Sequence, residues 1–305
     1  MPSISYEASK KFMTDWLEKK ANQNSERSRN TYGKEYALFC TDHSVQSEWD
    51  TSCAMYLRWG LEVKGRKRST ICNSMSGAVF NMFRYTDFAP TRSNLVVATR
   101  AAITRHTEPS KGKKFLPIPM LVRMVDAMDT EHFAQLRDGV ILTLMTLGCL
   151  RQGNTTDLLR GDVWIDKTEE CDEAIFIFLD KSKNDPERVG HTVVIAPGKG
   201  TKLEPLEQVK MYLRRMEAHP EATHFFHSSR TPYPRLSKKT PNHLIKKWLT
   251  KIGVDPKPYG SHSCRKGGAR RRQRRRRSAS GSLSAMAIGA ATPLTSISMT
   301  TWTRC

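Results

Sequence analysis

The sequence lacks the features that mark membrane, secreted and disulfide-rich proteins. No apolar run approaches the roughly 18 residues that a membrane helix needs, and the first segment, MPSISYEASKKFM, has no apolar core of a secretory signal. The seven cysteines form no CxxC pair, which argues against a zinc ribbon and a disulfide scaffold. We therefore expect no membrane partner and a reducing intracellular setting, which would be the nucleus in a eukaryotic host.

Acidic residues are scarce relative to basic ones. The chain has 50 Lys and Arg against 30 Asp and Glu, a net charge of +20, and its pI is near 9.8. Nine of the basic residues follow Arg265, where no acidic residue occurs, so residues 1–265 still carry +11. A soluble protein this basic usually meets a polyanion, most often nucleic acid.

Hydrophobic periodicity predicts two domains joined by a polar linker. Residues 1–108 are predicted to form a helical domain, in which Tyr32, Tyr36 and Phe39 repeat at helical spacing. Residues 109–114 are polar and contain one proline and one glycine, as linkers commonly do. In residues 115–269 we predict helices over 119–129, 132–148, 204–217 and 240–252, and strands over 174–179 and 191–196. The predicted fold class is mainly α, with an α+β second domain that holds a small β-hairpin or sheet.

A basic loop precedes one predicted helix of the first domain. Free N–H groups and the dipole at a helix start add to side-chain charge, so this loop suits a phosphate, although a solvated charged turn is an equal alternative. The candidate DNA-binding residues here and in the linker are Lys64, Arg66, Lys67, Arg68, Lys111, Lys113 and Lys114.

Three separated segments carry the residues suited to phosphate chemistry. Arg151 follows a buried helix, Lys183 lies in the hairpin turn, and His262 and Arg265 form an H-x-x-R motif. Each residue alone is more often structural, but their order resembles the catalytic domain of the tyrosine recombinase (phage integrase) family, of the kind found in eukaryotic mobile elements. The helical first domain resembles the core-binding, SAM-like domain of that family.

The resemblance implies a mechanism that needs neither a metal nor another cofactor. The two arginines would hold one phosphate and stabilise its transition-state charge, Lys183 would protonate the leaving 5′ oxygen, and His262 would assist proton transfer. Family members attack DNA with a tyrosine, forming a covalent phosphotyrosyl link, and act as tetramers on two duplexes. Asn154 stands where the family commonly has an acidic residue.

The tyrosine nucleophile is missing from its expected place. The last tyrosine of the chain is Tyr259, upstream of His262. After Ala269 the sequence stops resembling the family and continues with an arginine run and a tail rich in small residues. Such a segment repels itself and offers little apolar area, so we expect residues 270–305 to be disordered.

A change of reading frame would explain this tail. If each true codon begins at the third base of a codon as translated, CGN arginine codons encode small residues, as the family's helix requires. Residues 285–305 can then encode His-x-x-Trp followed by a tyrosine at the family's distance, although most first bases are free. The other interpretation makes the arginine run a nucleic-acid clamp or nuclear import signal.

The sequence leaves three alternatives to a tyrosine recombinase. They are a non-enzymatic DNA-binding relative of recombinases, a type IB topoisomerase-like protein, and an RNA-binding protein that uses its arginine run. Topoisomerases of that type share the Arg/Lys/Arg/Tyr chemistry but have a larger substrate-binding portion. Residues 1–265 contain no RNP strand, GXXG loop or zinc knuckle typical of RNA-binding modules. We therefore expect duplex DNA as the partner.

Overall fold

The computed structural model describes residues 15, 23–45, 48–83, 92–109, 112–180 and 190–270. The chain divides into two compact units, Met1–Lys111 and Gly112–Cys305. The described parts are mainly helical, with one small antiparallel sheet in the second unit. The predicted fold class is therefore confirmed.

The described part of the first unit consists of helices. They are α1 (Gln23–Asp42), α2 (Trp49–Glu62), α3 (Arg68–Met82) and α4 (Asn94–His106). Helix α4 begins where Ser93 adopts an extended conformation and its hydroxyl accepts the Val96 N–H at 3.3 Å, an ordinary N-cap. Helix α1 packs against α3, and α2 packs against α4. The helical spacing of Tyr32, Tyr36 and Phe39, which predicted helical structure in this part of the chain, lies in α1.

The core of the first unit is rich in aromatic side chains. Tyr36 and Tyr56 are buried and meet edge to face, with ring centroids 5.1 Å apart. The Tyr36 hydroxyl lies 2.6 Å from the Ser52 Oγ, so its polar end is satisfied inside the core. Phe39, one of the residues that repeat at helical spacing, and Met75 are also buried. The unit thus has a hydrophobic core of its own.

The second unit is built around one buried helix. Its helices are α5 (Ile118–Asp126), α6 (Phe133–Leu147), α7 (Gln152–Asp157), α8 (Pro205–Met216) and α9 (Thr240–Lys251), and residues 261–270 are also helical. Helix α6 is buried from Leu136 to Leu147 and contacts α5, α7, α8 and α9. A helix that is buried on all sides in this way lies at the centre of a domain.

A three-stranded antiparallel sheet packs on one side of this core. The strands are β1 (Val163–Asp166), β2 (Ala174–Leu179) and β3 (His191–Ile195), in the order β1-β2-β3. Val163 pairs with Ile177, which pairs with Val193, and all three are buried. The pattern predicted β2 and β3 but missed β1, whose four residues are too short for a periodicity signal. Among the described helices, none is long and apolar enough to cross a membrane.

A buried histidine packs within an aromatic cluster of the second unit. His227 is fully buried and its ring lies 5.4 Å from Phe133 and 5.5 Å from Tyr233, measured between centroids. Its Nδ1 lies 2.7 Å from the Ser228 carbonyl oxygen, and its own carbonyl accepts a hydrogen bond from Arg137 at 2.7 Å. Burial lowers the pKa of His227, and the neighbouring positive groups lower it further. The neutral ring is therefore part of the folded packing.

We expect this histidine to make folding stability depend on pH. Because the pKa of His227 is lower in the folded state than in the unfolded chain, its contribution is complete above the unfolded value of about 6.5. Below that value the contribution should decline, by up to about 1.4 kcal/mol per pH unit for one proton. Thermal unfolding followed between neutral and mildly acidic pH measures this effect. His227→Phe should flatten the profile in this window, and an equally steep profile in that variant would contradict the assignment.

Candidate functional site

Arg151 is positioned by the turn that ends α6. Helix α6 stops at Leu147, and Cys149 adopts a left-handed conformation with φ of 53°. The Leu150 N–H donates to the Met145 carbonyl at 3.1 Å, and the Cys149 N–H to the Thr146 carbonyl at 3.4 Å. These two bonds form a Schellman motif. The chain leaves this turn extended at Arg151, which is the N-cap residue of α7.

Arg265 lies on the helical segment 261–270. The Asn242 Oδ1 accepts the Ser261 N–H at 3.2 Å, and the Ser263 Oγ accepts the Gly260 N–H at 3.0 Å, so the start of the helix is capped by side chains. His262 is exposed in the first turn. Arg265 is three residues further along, on the same side of the helix. The H-x-x-R motif is therefore carried by a rigid element.

Two adjacent glycines let this helix lie directly against its neighbours. A Cβ at Gly267 would overlap the carbonyl oxygen of Leu116, and a Cβ at Gly268 would overlap that of Thr146. Leu116 also donates its N–H to the Ser263 carbonyl at 2.9 Å. The helix is thus held between the segment that precedes α5 and the end of α6. That contact brings Arg265 to the turn that carries Arg151.

The two arginines form a partly buried pair of positive groups. The Arg265 Nη1 donates to the Cys149 carbonyl at 2.9 Å, and both arginine side chains are half-buried. Burial lowers the pKa of Arg151, and repulsion from Arg265 lowers it further. Two neighbouring guanidinium groups are suited to bind the non-bridging oxygens of one phosphate, because each offers paired N–H donors and the anion relieves their repulsion.

Two of the other predicted site residues lie outside the part of the chain that the structure describes. Lys183 lies in 181–189, and Lys111 in 110–111, both outside the described residues. Asn154 lies within α7, three residues after Arg151. In the part of the chain that the structure describes, no group of three or more His, Cys, Asp or Glu side chains could hold a metal ion.

The structure assigns Arg66 a role that the sequence did not predict. Its guanidinium binds both carboxylate oxygens of Glu35, at 2.7 and 2.5 Å, and lies over the Trp59 ring. The hydrogen bond from Arg66 is the main cause of the lowered pKa of Glu35. Such a bidentate, half-buried pair is a structural contact. Lys64 and Lys67 are exposed on either side of it.

The end of the predicted linker is docked on the second unit. The Lys113 Nζ donates to the Lys257 carbonyl at 2.6 Å, and the Lys114 N–H to the Pro258 carbonyl at 2.9 Å. The Lys266 Nζ donates to the Lys113 carbonyl at 2.9 Å. Residues 112–116 therefore follow the helix that carries Arg265 as an ordered strap. The lysine residues in this strap remain exposed.

Sequence reasoning missed the residues that align the two arginines. Nothing in composition marks Cys149 as left-handed, since glycine is the usual residue in that conformation. The Gly267-Gly268 pair was visible, and two glycines inside a helix commonly signal a close backbone contact. Their packing partners, however, lie far away in the sequence, so the pattern alone could not identify them.

Comparison with known proteins supports a fold assignment. No protein-family model and no curated protein matches this chain. Among solved structures, a lambda integrase fragment, crystallised as a dimer bound to a COC′ core site, has a TM-score of 0.55 and 14% identity over 86% of each chain. The Tn1549 transposon integrase in complex with transposon right end DNA has a TM-score of 0.54 and 12% identity over 84% of this chain and 82% of its own.

The XerH site-specific recombinase, bound to its difH substrate, has a TM-score of 0.53 and 13% identity. The match covers 79% of this chain and 66% of XerH, so the chain spans just under two thirds of that protein. At these identities the likeness concerns the fold alone. This chain has the fold shared by these tyrosine-type recombinases and integrases.

Proposed function

We propose that this chain binds duplex DNA through a tyrosine-recombinase-like phosphate site. The observation that carries the proposal is the convergence of Arg151 and Arg265, remote in sequence, at the end of α6. The fold and the positive charge of residues 1–265 support the same function. The proposal covers recombination or integration of DNA as the family activity, with the strand transfer itself lost from this polypeptide.

The proposed roles follow from the chemistry of phosphoryl transfer. Arg151 and Arg265 hold the two non-bridging oxygens of the reacting phosphate and stabilise the charge that develops there. His262, exposed on the same helix as Arg265, assists proton transfer, and Lys183 protonates the leaving 5′ oxygen. Between Arg265 and residue 305 the sequence contains no tyrosine, so this segment supplies no tyrosine nucleophile for the covalent step.

Phosphate contacts outside this site are proposed for two basic segments. In the first unit Lys64, Lys67 and Arg68 are the proposed contacts, and the Glu35–Arg66 pair orders the loop between them. In the linker the proposed contacts are Lys111, Lys113 and Lys114. These residues would fix the position of the duplex without reading its sequence.

We also propose that the tail after Ala269 results from a shift of reading frame. The support is in the sequence: a frame starting at the third base would read CGN arginine codons as codons for small residues, and the later part of the tail can then encode a tyrosine. Under this proposal the ancestral enzyme belonged to a eukaryotic mobile element and acted as a homo-oligomer on DNA.

The second candidate is a DNA-binding relative whose chemistry has lapsed. The specific observation in its favour is the missing tyrosine, and for the polypeptide as written the two candidates predict the same binding. They differ only after the frame is restored. A type IB topoisomerase-like activity is less well supported, because the first unit is small and helical.

The test of DNA binding uses single charge removals in the full chain. We expect affinity for a mixed-sequence duplex to fall steeply with salt, and Arg151→Gln or Arg265→Gln to make the log–log dependence shallower by up to about 0.9, the value for one whole phosphate contact, because the remaining arginine still binds the shared phosphate. Affinity should drop roughly tenfold for each. Fluorescence anisotropy across a salt series measures both quantities.

The control removes the same charge elsewhere in the second unit. Arg214 is exposed on α8, so Arg214→Gln should leave the slope nearly unchanged. A slope near zero for the wild-type chain would reject DNA binding. Equal effects of the three substitutions would reject the specific site, and tighter binding to structured RNA than to duplex DNA would favour the RNA-binding alternative.

A further inference from the structure

The carbonyl group of Cys149 is the contact that holds Arg265 beside Arg151. Its oxygen accepts a hydrogen bond from the Arg265 Nη1 at 2.9 Å, and Arg151 follows Cys149 by only two residues. The carbonyl points there because Cys149 is left-handed, with φ of 53°. A left-handed conformation is energetically unfavourable for a non-glycine residue, so the surrounding structure must hold it in place.

We propose that Cys149 is a positioning residue for the phosphate site, acting through its backbone. This inference rests on the proposed function, because it concerns how the same arginine pair is aligned. The Cys149 carbonyl uses one N–H of the Arg265 guanidinium and leaves the other donors of that group for a phosphate oxygen. This hydrogen bond thereby sets the plane of the Arg265 guanidinium group relative to Arg151, the N-cap residue of α7.

A second contact at the same turn supports the assignment. The Thr146 carbonyl accepts the Cys149 N–H and also lies against Gly268. The turn therefore meets the helix 261–270 at two points, through the Arg265 side chain and through the backbone at Gly268. Two contacts fix both the distance and the orientation between the elements, whereas a single hydrogen bond would leave rotation free.

The role belongs to the backbone, so the size and branching of the side chain should matter more than the thiol. Cys149→Ala removes the sulfur and keeps the carbonyl, and Cys149→Gly tolerates the left-handed conformation without strain. Cys149→Val places a β-branched residue at a positive φ, which is strongly disfavoured. These substitutions separate loss of the thiol from displacement of the carbonyl.

The experiment measures affinity of the full chain for a short mixed-sequence duplex at constant salt. Cys149→Ala and Cys149→Gly should stay within about twofold of wild type, and Cys149→Val should lose up to the roughly tenfold that Arg265→Gln loses. In an Arg265→Gln background, Cys149→Val should have no further effect, because it acts through that arginine. Additive losses would show a merely structural role and overturn the inference.

A measurement on the unmodified chain keeps the inference testable if the valine variant does not fold. In nitrogen-15 NMR spectra of the guanidinium groups, Arg265 should show separate Nη signals, because the hydrogen bond restricts its rotation. Averaged signals would overturn the inference. If Arg265→Gln leaves DNA affinity unchanged, the proposed function fails instead, and the two failures are thereby distinguished.

Discussion

Gly268→Ala is expected to lower the melting temperature of the Gly112–Cys305 unit by roughly 6–12 °C. The added methyl group would overlap the Thr146 carbonyl oxygen and approach the Cys149 Sγ to 2.7 Å. Thr146 lies in the last turn of the buried helix α6 and Cys149 in the turn that follows it, so neither can move without disturbing the core. Overpacking of this kind costs about 3 kcal/mol, which corresponds to that temperature shift for a domain of this size.

The matched control is a glycine of the same unit with no such neighbour. A Cβ at Gly161 would meet no atom within 4 Å, so Gly161→Ala should be neutral or slightly stabilising. Differential scanning calorimetry or circular dichroism measures both variants. Equal melting temperatures for Gly268→Ala and wild type would show that the helix can move away from α6, and the close contact would then not align the arginines.

Restoring the alternative reading frame from about codon 269 should turn a protein that forms no covalent DNA adduct into one that does. The arginine pair can polarise a phosphate, but the reaction still needs a nucleophile held in line with the leaving oxygen. The polypeptide as written has no tyrosine after Tyr259. A nicked suicide substrate containing a cognate site, followed by denaturing electrophoresis, detects the trapped adduct.

The repaired enzyme provides its own controls. Substituting the restored tyrosine by phenylalanine, or Arg265 by Gln, should abolish trapping while the former retains DNA binding. Covalent trapping by the chain as written would contradict the missing nucleophile and the frame shift together. Failure of the repaired chain on a cognate site would favour the DNA-binding relative, and Asn154 would be the first residue to restore to an acidic one.

Local patterns were sufficient to predict most of the secondary structure. The apolar residues of α1, α3 and α6 repeat at helical spacing, and β2 and β3 are runs of β-branched and aromatic residues around a polar turn. These signals depend on residues close together in the chain. Strand β1 and helix α7 were not predicted, because each is too short for a hydrophobic repeat to be recognised in the sequence.

Charge and the order of the motifs also predicted Arg151 and Arg265 as site residues, but they did not predict which atoms align the two side chains. The sequence offered seven basic residues as DNA contacts without distinguishing their environments. The structure separates Arg66, which is engaged by Glu35, from its exposed neighbour Lys67, and the difference arises because the carboxylate comes from α1, which is remote in the sequence. Residues 271–305 lie outside the described residues, so the expected disorder of the tail stays a prediction.

The sequence by itself determined the class of elements, their order, the positive charge and the absence of a late tyrosine, because these are properties of composition and short-range spacing. Only the tertiary structure decided that Cys149 is left-handed, that Gly268 lies against the Thr146 carbonyl and that Arg265 reaches the turn before Arg151. Each of these depends on the close approach of backbone segments remote in the chain. Such packing has no local signature, because what decides it is the space left between elements that are already formed.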